Sequence, residues 1–450
     1  MGRRLNAAGH VFTVVSNKDI AKQIVPYRFP FYQLSSDDEL RQLSHLDPMP
    51  RWALGDLLAF LRWIRRRRRI CRKSIERDEI KSLLAQLRPN LLWIDIEFHF
   101  AIIATANSNI PTVLSSFFFC PFRQPGLPPL HINMMPGRNW YQNITIRILW
   151  WWSHMESIGI EWRRRLSLAG LQAKLAPIPM STKRFVDLAS LARFHGYELK
   201  RETDCSQWLR PFIYRRLPIL CLNARELEFP HARHPNMYYV GPVIGQVRHE
   251  PNLDTGSMVR WERFKHERQQ TKHLHRPIIY CSLGTFWSAD KEFLRRVIEV
   301  FRRRPDWDLV LGLGGKLDPD ALAPAPHNVV LLKWAPQLDA LRLADCAITH
   351  AGITTINECI RCKVPMIVYS TRHVDQNGCA ARIAFHRLGV DADKDKDAPE
   401  QIEQNIKYVL SDETIRQNLA KMYRHLLAYE DANTAVRVLV KLANNRSLAQ

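Results

Sequence analysis

A histidine, a glycine, two threonines and a glutamate crowd into the segment HAGITTINE, as His350, Gly352, Thr354, Thr355 and Glu358. The apolar run Cys346 to Thr349 before them reads as a buried strand, and a helical pattern opens at the His350-Ala351-Gly352 turn. A helix that starts directly after a buried strand exposes unpaired backbone N–H groups and its positive dipole end, which favours an anion, phosphate first. Gly352 lets backbone approach such a ligand, the two threonines supply hydroxyls, and His350 can donate to a phosphate oxygen. Glu358, one turn further on, would repel phosphate and is better suited to accept hydrogen bonds from a vicinal diol, which points to a ribose.

Trp334, followed by Pro336 and Gln337, offers a flat aromatic face beside a rigid turn, suited to stacking a base. Asp375 and Gln376 follow the next apolar strand, where they could hold sugar hydroxyls. Base, ribose, diphosphate and sugar thus each find a partner in chain order.

Trp334, Pro336, Gln337, His350, Gly352, Thr355, Glu358, Pro365, Asp375 and Gln376 together resemble the nucleotide-sugar signature of the family 1 UDP-glycosyltransferases, which include bacterial macrolide and carotenoid glycosyltransferases. Thr354 stands where that family often has Asn, Lys363 where Gly often precedes Val-Pro, and Ser370 where Pro is usual; one residue is inserted before Asp375. The resemblance implies a GT-B fold, two Rossmann-like doubly wound α/β domains facing a cleft. It implies inverting transfer of a hexose from a UDP-sugar to an acceptor hydroxyl, with no metal and no cofactor beyond the UDP-sugar co-substrate. The turn carrying Ser282, Gly284 and Thr285 is expected to face the phosphates across the cleft, and Asp95 resembles the aspartate that orients the family's catalytic histidine.

The resemblance implies a particular organisation: an acceptor-binding domain over 1–244, a linker over 245–276, a nucleotide-sugar domain over 277–430 and a final helix over 431–450 that braces the first domain. The opening reads as the end of a helix, a turn at Gly9 and a strand from Val11 to Val15. Met1 falls inside what would be the family's first helix, so a start lacking the first strand and the histidine loop is expected, with His10 only the structural histidine at a strand entrance. Residues 35–88 read as polar helix, including the run Arg65 to Arg69. Leu91 to Ile94, then Asp95, a helix and a strand from Ile110 to Ser115 make a βαβ unit; Glu97 and His99 lie close enough to replace Asp95. The aromatic and proline-rich stretch from Phe117 to Trp162 has two readings besides the acceptor pocket that the resemblance implies: a core helix, or a surface helix whose Trp150 to Trp152 rest on a bilayer. The charged stretch from Arg248 to Arg276 reads as linker and loop. The strands Pro277 onward, Asp308 to Leu313 and Val329 to Leu332 build the second domain, and the pattern from Glu400 is helical.

Lys and Arg number 65 against 44 Asp and Glu, giving a net charge of +21 that favours anionic partners. Nucleic acid is disfavoured, because zinc spacing and aromatic RNA-binding signatures are absent. The nine cysteines show no paired spacing, which fits reduced thiols in a cytoplasm; Cys359 and Cys362 read as packing residues on one helix. The strings DPD at Asp318 and DAD at Asp391 read as solvated turns rather than metal sites. No run of 18 apolar residues could span a membrane, leaving peripheral contact with an anionic inner face as the one membrane option. Two further readings stay open: transfer to a lipid-linked carrier at the membrane, and an inactive, truncated nucleotide-sugar binding protein.

Overall fold

A computed structural model describes residues 1–17, 19–34, 62, 65, 79–166, 185–245, 250, 253–270, 275–284 and 290–444. The Arg65 to Arg69 run, apart from Arg65, and Thr285 lie outside the described residues.

The N-terminal half starts with helix α1 (Gly2–Ala7), strand β1 (Val14–Ser16) and strand β2 (Phe31–Gln33). The expected strand over Val11 to Val15 begins later than its apolar pattern suggested: Val11 is 88% exposed, and pairing with β2 starts only at Val14. Helix α2 (Glu79–Leu87) leads into strand β3 (Leu92–Asp95), helix α3 (His99–Thr105) and strand β4 (Thr112–Ser116), the expected βαβ unit, with β3 and β4 parallel. Then come the 27-residue helix α4 (Trp140–Leu166), helix α5 (Phe185–Phe194) and the short antiparallel pair β5 (Thr203–Asp204) and β6 (Ile213–Tyr214). Strands β7 (Ile219–Cys221) and β8 (Met237–Tyr239) complete a parallel sheet in the order β3-β4-β7-β8, while β1 and β2 pair only with each other.

The stretch expected as linker and loop is instead largely helix α6 (Thr255–Gln270). Charge density hid its amphipathic character. Only Ser257, Trp261 and Phe264 turn inward, at helical spacing, and the Asp254 side chain caps the start by accepting the Ser257 N–H at 2.9 Å.

The C-terminal half runs β9 (Ile278–Ser282), α7 (Lys291–Arg303), β10 (Asp308–Gly312), β11 (Val329–Leu332), α8 (Gln337–Leu343), β12 (Cys346–Thr349), α9 (Ile353–Cys362), β13 (Met366–Tyr369), α10 (Gln376–Phe385), β14 (Gly389–Ala392) and helices α11 (Pro399–Ser411), α12 (Glu413–Asp431) and α13 (Thr434–Ala443). Its six parallel strands lie in the order β11-β10-β9-β12-β13-β14. That is the doubly wound order, whose direction reverses between β9 and β12, and ligands bind outside the carboxyl ends at such a switch point. Strands β9, β10, β12 and β13 are buried along their whole length, the continuous apolar run required of strands covered on both faces. Helix α13 returns to the first half, where Ala435, Val436, Leu439 and Leu442 pack with Val113, Leu220 and Val240.

Candidate functional site

The carboxyl ends of β9 and β12 bring Ser282, Gly284, His350 and Gly352 together. The His350 ring lies between the two glycines: a Cβ on Gly284 would come within 2.6 Å of the ring, and one on Gly352 within 2.8 Å. Gly284 also has φ +72, a conformation that a larger residue resists. Protein atoms crowd the imidazole, and this desolvation lowers its pKa to about 4, the Ser282 backbone pulling weakly the other way. His350 is therefore neutral at pH 7 and can offer a phosphate an N–H without carrying charge of its own. Between His350 and the helix, the fully buried Ala351 is held at φ +69, a left-handed conformation unusual for a residue with a Cβ. It turns the chain so that α9 starts at Gly352 and aims its free N–H groups at the switch point.

One turn into α9 lies a connected polar set. The Gln337 side-chain amide donates to Thr355 Oγ1 at 3.2 Å and to the Glu358 carboxylate, and its Oε1 accepts from the Tyr280 hydroxyl at 3.3 Å. Glu358 is almost wholly buried, as is Thr355, whereas Thr354 is exposed on the outer side of the helix. The Trp334 ring lies over the Gly315 backbone, with its indole N–H donating to Glu250 at 3.3 Å and its backbone N–H to Ser257 at 3.3 Å. Pro336 precedes α8 and Gln337 is its first residue.

Asp375 and Gln376 are not part of this set. Gln376 Oε1 accepts from both the backbone and the hydroxyl of Thr371, and Asp375 accepts from the Cys379 thiol at 3.5 Å with its own pKa raised by burial. The loop before them carries two non-glycine residues with positive φ, Arg372 and Val374.

The first half meets α10 closely. Gly378 N donates to Leu130 O at 2.8 Å, where any Cβ would strike that oxygen, and Asn377 donates to His131 O at 3.0 Å. Arg382 forms an ion pair with Glu228, both fully buried, its guanidinium held between the rings of Phe119 and Phe229 at 4.5 and 4.2 Å. Asn357 on α9 donates to Asn223 at 2.8 Å.

Beside these contacts opens a cavity of about 570 Å³. Trp162, Trp208, Leu209 and Phe118 form apolar wall, while Glu97, His131, His154, Glu156 and Arg210 supply polar groups. Val374, from the loop before Asp375, closes it from the second half. Burial, with Arg210 adding to it and Glu156 opposing, holds the His131 pKa below the ordinary histidine value. The Arg210 guanidinium is spent on the carbonyls of Cys205, Gln207 and Ser153. Asp95 is exposed at the end of β3, where its Oδ1 accepts the Glu97 N–H at 2.8 Å. His99, expected as a possible substitute, is instead buried, its Nδ1 3.0 Å from the Tyr214 hydroxyl. Sequence reasoning missed His131, Arg210 and the Glu228–Arg382 pair. Nothing in their spacing marks them, since 79 residues separate His131 from Arg210 and 154 separate Glu228 from Arg382.

Residues 215–426 match the family described as UDP-glucoronosyl and UDP-glucosyl transferase. The chain is 29% identical to the NDP-glycosyltransferase YjiC of Bacillus subtilis over 41% of this chain and 47% of that protein. It is 33% identical to the demethyllactenocin mycarosyltransferase of Streptomyces fradiae over 33% of this chain and 32% of that one. The match thus spans less than half the length of these curated relatives. Among solved structures, the glycotransferase of kitacinnamycin superposes with a TM-score of 0.59 at 20% identity, covering 98% of this chain and 94% of the other. That likeness concerns architecture: two Rossmann-like domains facing a cleft, the GT-B fold.

Proposed function

We propose, on the match of residues 215–426 to the UDP-glucoronosyl and UDP-glucosyl transferase family, that the chain transfers a hexose from a UDP-sugar to a hydroxyl of an apolar acceptor with inversion at the anomeric carbon. The observation that carries this reading is the arrangement at the switch point, with a neutral His350 beside the N-terminus of α9 and Gln337 joining Thr355 to the buried Glu358. Diphosphate fits the helix end and His350, ribose fits Glu358, and the base fits the open face of Trp334. Ser282 and Gly284 border the phosphates. Asp375 and Gln376 would have to give up their present partners to hold the sugar.

In the transfer, the acceptor oxygen forms a bond to the anomeric carbon as the bond to the diphosphate breaks. The electron pair leaves with UDP, and His350, Thr355 and the helix N-terminus meet the growing charge, so the step needs no metal from this chain's residues. The hydroxyl proton passes to a side chain of the cavity wall. We assign it to His131, neutral at pH 7, in preference to Asp95, whose carboxylate holds the Glu97 backbone in place. The largely apolar cavity favours a hydrophobic alcohol as acceptor.

The test is release of UDP from UDP-glucose with a panel of apolar alcohols, alongside calorimetric UDP binding. Glycoside formation, together with UDP affinity about ten- to a hundredfold weaker in Glu358→Ala, is expected. Binding of UDP without turnover of any acceptor would favour the inactive nucleotide-sugar binding protein, and absence of UDP binding would overturn both.

A further inference from the structure

Helix α4 is apolar on two opposite sides. Ile146, Trp150 and Ser153 face the interior, Trp150 donating its indole N–H to Leu127 O at 2.8 Å. At 3.6 residues per turn, Trp140, Ile144, Ile148, Trp151, Trp152 and Trp162 fall within an arc of about 120° on the other side. Each is between 45 and 75% exposed. Single exposed apolar residues are ordinary, but a continuous stripe with four tryptophans is a surface that water disfavours.

Its surroundings are basic. From Arg138 to Arg165 the sequence has five arginines, at 138, 147 and 163–165, against Glu156 and Glu161. Among the described residues no helix is long and apolar enough to cross a membrane. An apolar arc rich in tryptophan, flanked by arginine on a helix that does not cross, has the chemistry of an element lying in the interface of an anionic bilayer. A second copy of this chain fits less well, since it would bring together two identical basic surfaces on molecules of charge +21.

We propose that α4 docks the protein peripherally on an anionic phospholipid surface through this stripe. The same helix lends Ser153, His154 and Ser157 to the cavity wall, and Trp162 belongs to both the stripe and the wall. The cavity mouth therefore meets the docking face, and the acceptor class becomes an alcohol dissolved in the bilayer. That second step rests on the transferase reading, whereas the docking does not.

The experiment is co-sedimentation of the full chain with vesicles of phosphatidylcholine alone and of phosphatidylcholine with phosphatidylglycerol, at low and high salt. Wild type is compared with Trp151→Ser/Trp152→Ser and with Tyr408→Ser, an exposed aromatic elsewhere. UDP affinity is the check that each variant is folded and that the donor site is intact. Docking predicts binding to the anionic vesicles that weakens with salt and falls about tenfold or more in the double variant, with UDP affinity and the Tyr408 variant unchanged. Salt-independent binding, equal binding by the double variant, or no vesicle binding with a dimer that the double variant abolishes would each overturn it. Failure of glycoside formation with vesicle binding intact would overturn the transferase reading alone.

Discussion

The two halves of the molecule build their parts of the cleft differently. In the C-terminal half, a single α/β stretch from Trp334 to Glu358 supplies the connected polar set apart from Tyr280 of β9, and one six-stranded sheet holds it at the switch point between β9 and β12. In the N-terminal half, the cavity draws Glu97, His131, Ser153 and the Trp208–Arg210 segment from separate parts of the chain, on a sheet of four strands with β1 and β2 paired apart. A site made within one unit needs only that unit to fold. One assembled from distant segments depends on how those segments are locked together, and the lock here runs across the halves.

Breaking that lock should have the largest effect. Arg382→Met leaves the Glu228 carboxylate buried without its cation, and losing one partner of such a pair costs about 3–5 kcal/mol. The denaturant midpoint should fall accordingly, and the double variant Glu228→Met/Arg382→Met should recover part of the loss by removing both charges. A cost below about 1 kcal/mol for the single variant would mean that the halves hold together by other contacts, such as Leu130 with Gly378.

The same contrast explains what could be read from the sequence. His350, Gly352, Thr355 and Glu358 are legible because helical spacing after a strand fixes their positions relative to one another, and Gln337 joins them one short element earlier. The parallel sheet was legible for the same reason, since its strands are continuous apolar runs. Helix α6 was not, because three inward residues among dense charge carry little apolar signal. Nor were the local partners of Asp375 and Gln376, which depend on the conformation of the preceding loop rather than on residue type. His131 was invisible for a different reason: the role proposed for it depends on Glu156, Arg210 and the docking of its own backbone on Asn377, none of which lies near it in sequence.

His131 offers the next test, one that separates the two halves functionally. His131→Gln should lower kcat by about a hundred- to ten-thousandfold while leaving UDP affinity unchanged, because the donor set lies on the other sheet. The sign of the pH dependence follows from burial. The folded pKa lies below 6.5, so the imidazole is neutral at pH 7, and activity should be lost as pH falls through that lowered value. Arg210 and the cavity's other titratable groups, Glu97, His154 and Glu156, remain in the variant, so an acid limb that persists in His131→Gln would assign it to one of them. Equal loss of UDP affinity and kcat would mean that His131 holds the cleft together instead.

The smallest effect concerns His350, and it is a matter of stability rather than rate. Its folded pKa of about 4 lies below the unfolded value near 6.5, so between these values the unfolded chain binds a proton that the folded chain refuses. The stability this contributes is fully present above about pH 6.5 and is lost as pH falls toward 4. Other histidines whose pKa partial burial lowers, His234 and His386 among them, tilt stability in the same direction, so the informative quantity is the difference from His350→Gln. Urea unfolding at pH 7, 6 and 5 should show a shallower slope in the variant, by less than one proton. Saturating UDP should do the same to the wild type and not to the variant, because a phosphate beside the ring raises the folded pKa and closes the gap between the two states. If UDP leaves the wild-type slope unchanged, His350 does not face the phosphates, and the anion-binding role of the β12–α9 turn rests on the helix N-terminus alone.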